Sequence, residues 1–187
     1  LVPAEGAICG QIALRERQRQ VWVAPANQPI QGVLGLDPAF SREEWAELFD
    51  LNFNLVRREA RAFRPLSAHT LSEERILLQL SVRRLMILLR KVAHRRGMDY
   101  VFESNDETFR AGVRFALEEL LEQMYEQGAF AGASPAQAFR VSTDTPARAV
   151  ERGQFIAEIQ VAPSQPMEFI TVLMLLVGQG TLQTEES

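Results

Sequence analysis

The sequence predicts an α+β fold: a mixed sheet, two long amphipathic helices and an extended C-terminal arm. Three observations carry that prediction. Two long stretches, from Ser72 to Gly97 and from Ser104 to Gly128, place apolar residues at helical intervals. Short alternating or β-rich segments lie before and after them. Strands and helices do not alternate regularly, which argues against a doubly wound parallel sheet.

The chain has 187 residues and a mass of 21.1 kDa, enough for one domain with a substantial core. Hydrophobic residues make up 47% and charged residues 24%, which is globular usage and not that of a disordered chain. Lys and Arg number 20 against 24 Asp and Glu, for a net charge of −4, so the total does not indicate a strongly cationic nucleic-acid binder. The single cysteine, Cys9, excludes an internal disulfide and a multi-cysteine metal site, and fits a reducing compartment. The sequence begins at Leu1 without a charged segment leading into an apolar one, so no signal peptide is visible and the chain reads as part of a longer protein. The most apolar run, Phe169 to Val177, is too short for a membrane-spanning helix, which takes about 20 apolar residues.

In chain order, residues 5–14 are small and apolar and suggest a strand or close-packed segment. Pro25 and Pro29 favour an extended loop. Ser41 and Glu44 stand at capping-box spacing, and Trp45, Leu48 and Phe49 continue a short helix. A strand is expected around 53–58, then a loop to Ser72, with Pro65 opposing a helix. Ser72 opens the clearest helix, on which Leu78, Val82, Leu85, Leu89 and Val92 form one face and Gly97 is a natural residue just past the end.

Tyr100–Glu103 reads as a short buried strand. Ser104 and Glu107 suggest the next helix start. Phe109, Val113, Ala116, Leu117, Leu120, Leu121 and Met124 give that helix its apolar face, and Gly128 ends it. Residues 129–135 form a turn, Ala138–Ser142 a short strand, and Thr143–Arg152 a polar loop. Gln154–Val161 alternates as a strand. Pro163 and Pro166 bracket an extended connector, residues 168–177 form an apolar strand, and a polar tail closes the chain.

The residues offer no catalytic or metal site. His69 reads as a loop residue making a local hydrogen bond, and His94 as a solvated residue near a helix end. Neither belongs to an HExxH motif, and no serine lies in a GxSxG elbow. Cys9, in its small apolar run, reads as a buried, inert thiol. Glu118, Glu119 and Glu122 share a stretch of helix, where carboxylates usually form a solvated face.

Charge distribution is more informative. Arg83 to Arg96 holds six Lys or Arg and no acid, while Glu103 to Glu126 holds seven acids against Arg110 and Arg114. Arg57, Arg58, Arg61 and Arg64 form a second basic cluster. These are either solvated faces or patches that mate with other copies or another polymer. Between Phe169 and Gly178 the only polar side chain is Thr171. The segment is either a core strand or a terminal strand suited to pairing with another subunit's sheet. From the residues alone, a small-molecule enzyme with an unrecognised motif and a nucleic-acid-binding module using helix 83–96 stay open as alternatives.

Six segments in chain order resemble the C-terminal part of contractile tail sheath proteins of phage tails and phage-tail-like injection systems. They are the segment around Trp22, Ala24, Pro25, Ala26 and Asn27; LNFNLVRRE at 51–59; VRRLMILLRK at 82–91; YVFESND at 100–106; EQGAFAGASPAQAF at 126–139; and IQVAPSQPMEFI at 159–170. The chain departs from the family's W-G-A-R-T-L segment, carrying Leu66, Ser67, Ala68, His69, Thr70 and Leu71 there.

The resemblance implies a non-catalytic structural subunit without cofactor or metal. Its partners would be neighbouring sheath subunits, an inner tube protein and a baseplate or cap, with no nucleic acid and no membrane insertion. It implies assembly in a bacterial cytoplasm, followed by contraction that drives the tube through a target envelope. It implies a sheath C-terminal domain over residues 1–166 and an arm and tail over 167–187, with an N-terminal arm upstream of Leu1. Strand exchange would use Met167, Phe169, Ile170, Val172, Leu173, Leu175 and Val177. The candidate tube contact is Arg83, Arg84, Arg90, Lys91 and Arg95. The alternative contact face is Glu118, Glu119, Glu122 and Glu126.

Overall fold

The computed structural model describes residues 2–100, 103–151, 154–165, 172–177 and 181–186. The α+β class holds. Strands are divided among two-stranded antiparallel sheets, β1–β2, β3–β4 and β5–β6, with no single mixed sheet among the described residues.

Residues 5–14 correct the expected strand: they lie in helix α1, Glu5–Gln18. Only Ile8 and Ile12 are β-branched there, and apart from Gly6, Cys9 and Gly10 the rest are the helix formers Ala, Leu, Gln, Glu and Arg. Glu5 in the first turn and Arg15 and Arg17 in the last suit the helix dipole. Cys9 on this helix is exposed, which corrects the expected buried thiol. No residue of α1 is buried, so polar ties hold it, among them Gln11 Nε2 donating to the Gln28 carbonyl at 2.8 Å.

Helix α2, Arg42–Asp50, starts where the spacing placed it. The Glu44 N–H donates to Ser41 Oγ, and the Ser41 N–H donates to the Glu44 carboxylate. Strands β1, Val56–Glu59, and β2, Ala62–Pro65, form a hairpin in which Glu59 faces Ala62. The expected loop after residue 58 therefore contains a strand, with Pro65 at its end, where a missing N–H is tolerated.

The next helix starts later than Ser72 suggests. Thr70 N–H donates to the Leu78 carbonyl, and Leu80 N–H to that of Ala68. This backbone clasp keeps the preceding segment out of the helix, apart from one 3-10 turn at Arg75–Leu77. Ser72 Oγ instead accepts from the Glu74 N–H within a local turn. Helix α3 spans Leu80–Asp99, so Gly97 lies inside it. Ser67, Ala68 and His69, where the chain departs from the family pattern, are buried. Asn54 anchors that segment by donating to the His69 carbonyl and accepting the His69 N–H.

Helix α4 spans Glu107–Glu126, with Asp106 as its cap in place of Ser104: Asp106 Oδ1 accepts from the Phe109 N–H at 2.8 Å. The chain then turns at Gly128, whose φ of 80° suits glycine. The turn of helix α5, Pro135–Ala138, leads into β3, Phe139–Ser142. A turn of helix α6, Ala147–Val150, interrupts the expected polar loop before β4, Glu158–Val161, which pairs with β3. No strand forms at Tyr100 or Glu103, and Val101 and Phe102 lie outside the described residues.

Leu85 and Leu89 of α3 meet Val113, Leu117, Leu121 and Met124 of α4 in one buried cluster, closed by Trp22, Phe130 and Val141. Trp22 Nε1 donates to the Gln127 carbonyl at 3.2 Å, joining the first loop to the end of α4. The sequence-assigned apolar faces of both helices are those that pack. Their outer faces are left for other contacts.

Candidate functional site

The structure divides the basic set on α3. Arg84 is largely covered and its guanidinium is bound by Glu16 of α1. Arg83, Arg90, Lys91 and Arg95 are exposed. Arg83 and Arg90 line a groove of about 370 Å³ together with Met86, Ile87, Ala93, Ala157 just before β4, and Ile159 and Val161 of β4.

Ile159 and Val161 also define a strand edge. Ala162 N–H donates to Ala138, and the Ile156 backbone bonds Thr145 Oγ1 on the same side. Even-numbered positions thus turn toward β3. By the alternation of a strand, Ile159 and Val161 direct their backbone N–H and C=O groups to the opposite edge. Among the described residues no strand pairs with that edge. An unpaired edge beside an apolar floor with two arginines at its rim can accept an extended segment, with main-chain bonds giving affinity and pockets giving selectivity. The strand expected over residues 154–161 forms only at Glu158–Val161; the open edge and its groove were not legible in the sequence.

On α4, Glu119, Glu122 and Glu126 are exposed, whereas Glu118 is half-covered and lies 3.8 Å from Arg114. Phe115 heads the same stripe and is 68% exposed, a feature the sequence reading passed over. The basic and acidic faces therefore remain separate surfaces.

Val172, Leu173, Leu175 and Val177 lie in β5, Val172–Val177, which pairs antiparallel with β6, Thr181–Glu186. The expected polar tail is thus a strand, with Val177 opposite Thr181 and Val172 opposite Glu186. Met167, Phe169 and Ile170 lie outside the described residues.

The histidines lie apart from these surfaces. His69 is buried and its ring sits 5.0 Å from that of Phe49. His94 is exposed on α3. Among the described residues no three of His, Cys, Asp and Glu gather in a group able to hold a metal ion. No described helix is long and apolar enough to cross a membrane.

Residues 73–176 match the sequence model of the phage tail sheath C-terminal domain family. A curated relative, the tail sheath protein of Vibrio phage KVP40, is 27% identical over 179 residues, covering 91% of this chain and 26% of that protein. Among solved structures, the chain is similar to one from the anti-feeding prophage baseplate, with a TM-score of 0.85 and 25% identity over 96% of this chain and 51% of the other. It is similar to one from the PVC extracellular contractile injection system's contracted sheath complex, with a TM-score of 0.84 and 25% identity over 95% of this chain and 51% of the other. It is equally similar to one from the anti-feeding prophage helical sheath in its contracted state, with a TM-score of 0.84 and 25% identity over 95% of this chain and 50% of the other. The chain spans about half the length of these structural relatives and about a quarter of the curated one.

Proposed function

The chain belongs to the phage tail sheath C-terminal domain family, and on that premise we propose that it is a structural subunit of a contractile sheath. In this reading it surrounds an inner tube, and contraction of the array drives the tube through a target envelope. Its work is mechanical and not enzymatic. The array assembles in a bacterial cytoplasm and forms part of a phage tail or tail-like particle. Its partners are neighbouring sheath subunits, the tube protein and a baseplate or cap.

The observation that carries the reading is the open edge of β4 in a chain that also bears the apolar strand β5. Residues 1–166 act as the body and 167–187 as the arm. The arm of one copy, including Val172, Leu173, Leu175 and Val177, adds to the β4 edge of another at Ile159 and Val161. Such a bond keeps subunits joined while they rotate, because the arm is tied to its body through a short connector. Arg83 and Arg90 border the receiving groove. At 100° per residue, Lys91 lies about 100° and Arg95 about 140° further round α3 from Arg90, and the two form the tube contact. A contact that must release on contraction is suited to exposed charge, which sets register without a large buried apolar area. Arg84, held by Glu16, is not counted in that contact.

Electron microscopy of the protein co-expressed with its tube protein tests this. Striated tubes are expected, and monodisperse small particles contradict the reading. Deleting the residues after Pro166 is expected to abolish assembly while leaving a folded monomer. Unfolding of the truncated chain would place the arm in its own core instead.

A further inference from the structure

We infer that the β1–β2 hairpin of one copy docks on the outer stripe of α4 in the next copy. The inference rests on the sheath-subunit reading and adds a contact separate from arm exchange.

The hairpin has the form of a basic finger. Its base is fixed: Ile30 N–H donates to the Phe63 carbonyl at 2.8 Å, and Arg64 Nη1 to the Asn27 carbonyl at 2.8 Å. Its tip is a two-residue turn, Ala60–Arg61, between the paired Glu59 and Ala62. Ala60 holds a φ of 52° there, a conformation that glycine adopts more readily. The tight turn holds Arg61 at the tip, three residues after Arg58. Arg57 is engaged by Glu59 at 3.3 Å. Arg58 and Arg61 are exposed, and among the described residues neither forms an ion pair.

The acceptor surface has matching chemistry. Phe115, Glu119, Glu122 and Glu126 follow one another at intervals of 4, 3 and 4 residues, so they share one helical face. All four are exposed. Among the described residues Glu119, Glu122 and Glu126 form no ion pair, and the nearby Arg114 is engaged by Glu118. Glu119 to Glu126 covers about 10 Å of helix at about 1.5 Å per residue. Hairpin strands about 4.8 Å apart are narrower than that run. Arg58 and Arg61, close together at the hairpin's tip, are matched to Glu119 and Glu122, about 4.5 Å apart along the helix. The exposed Phe115 ring adds a face on which a guanidinium can stack. Gly112, one turn before it, has open space where a side chain would stand.

The two patches lie on different parts of the same chain, so their contact is heterologous. Repeated, such a contact propagates into a ring or an open helix. This is why the partner is another copy of this chain: the opposite charges required are both present in it, each without an internal partner among the described residues.

The test is charge reversal with rescue in the full chain, reading the protein concentration at which arrays form by sedimentation. Arg58→Glu with Arg61→Glu is expected to raise that concentration about tenfold, and Glu119→Arg with Glu122→Arg by a similar factor. Combining all four is expected to return it to within about threefold of the unmodified protein. Thermal melting of the unassembled proteins verifies that each variant folds. Should a reversal impair folding, the milder Arg58→Gln with Arg61→Gln is expected to weaken the salt dependence of assembly. Unchanged assembly concentrations, unchanged salt dependence in the milder variant, or a combined variant no better than either parent would overturn the pairing. An unmodified chain that forms no array overturns this inference and the sheath reading together; an array indifferent to both reversals overturns the inference alone.

Discussion

The Arg84 guanidinium on α3 donates to the Glu16 carboxylate on α1, joining helices whose partners lie 68 residues apart in sequence. One of the five candidate tube-contact cations is thereby used inside the subunit. Glu16 remains about half exposed, so screening limits what the pair contributes. Arg84→Ala is expected to lower stability by about 0.5–1 kcal/mol in a urea titration. It should leave the salt dependence of tube co-assembly unchanged. A changed salt dependence would return Arg84 to the tube contact.

Lys91 and Arg95 make the complementary prediction. Both are exposed, and neither lines the β4 groove. Reversing both to Glu is expected to weaken co-assembly with the tube, most clearly at low salt, where exposed charges are least screened. A single alanine should do little, because an exposed pair is worth about 0.2–1 kcal/mol. If the double reversal still builds tube-filled sheaths with unchanged salt sensitivity, these residues do not touch the tube.

Leu121 and Glu122 are adjacent on α4 but meet opposite environments. Leu121 is 1% exposed in the α3–α4 core, and Glu122 lies on the outer stripe. Leu121→Ala is expected to cost about 2–5 kcal/mol of stability through lost burial and the cavity left behind. Glu122→Ala should alter monomer stability by less than about 0.5 kcal/mol. Equal losses in chemical denaturation would contradict the assignment of the two faces.

The Glu44 carboxyl titrates below its usual range, chiefly because the Ser41 backbone N–H donates to it and secondarily through the Ser41 side chain. A carboxyl depressed in the folded state favours folding above its unfolded value. That contribution is lost as pH falls through the folded value. Melting temperature should therefore decline on acidification through and below the ordinary glutamate range, and Glu44→Gln should flatten part of the decline. Identical pH profiles for the two proteins would exclude a contribution from this cap.

What could be read from the sequence was what short-range physics decides. The Ser41–Glu44 box, the apolar faces of α3 and α4, and the Gly128 stop depend on residues within a turn or two of one another. The misreadings have non-local or competing causes. The start of α3 is delayed by the clasp between residues 68–70 and 78–80. At α4, Asp106 caps the helix two residues beyond Ser104, the competing candidate. In α1, helix-forming side chains outweigh the small apolar residues that suggested a strand. The surfaces divide in the same way. The excess of cations on α3 was legible, but its partition among Glu16, the β4 groove and the outer face depends on tertiary placement.

The central claim is that β4 accepts a strand from a neighbouring copy, and cryo-electron microscopy of the assembled particle tests it most directly. The account predicts an extended strand of another copy hydrogen-bonded along Ile159 and Val161, with Arg83 and Arg90 at its flank. An assembled particle in which that edge is bare, or is covered by the chain's own arm, would contradict it.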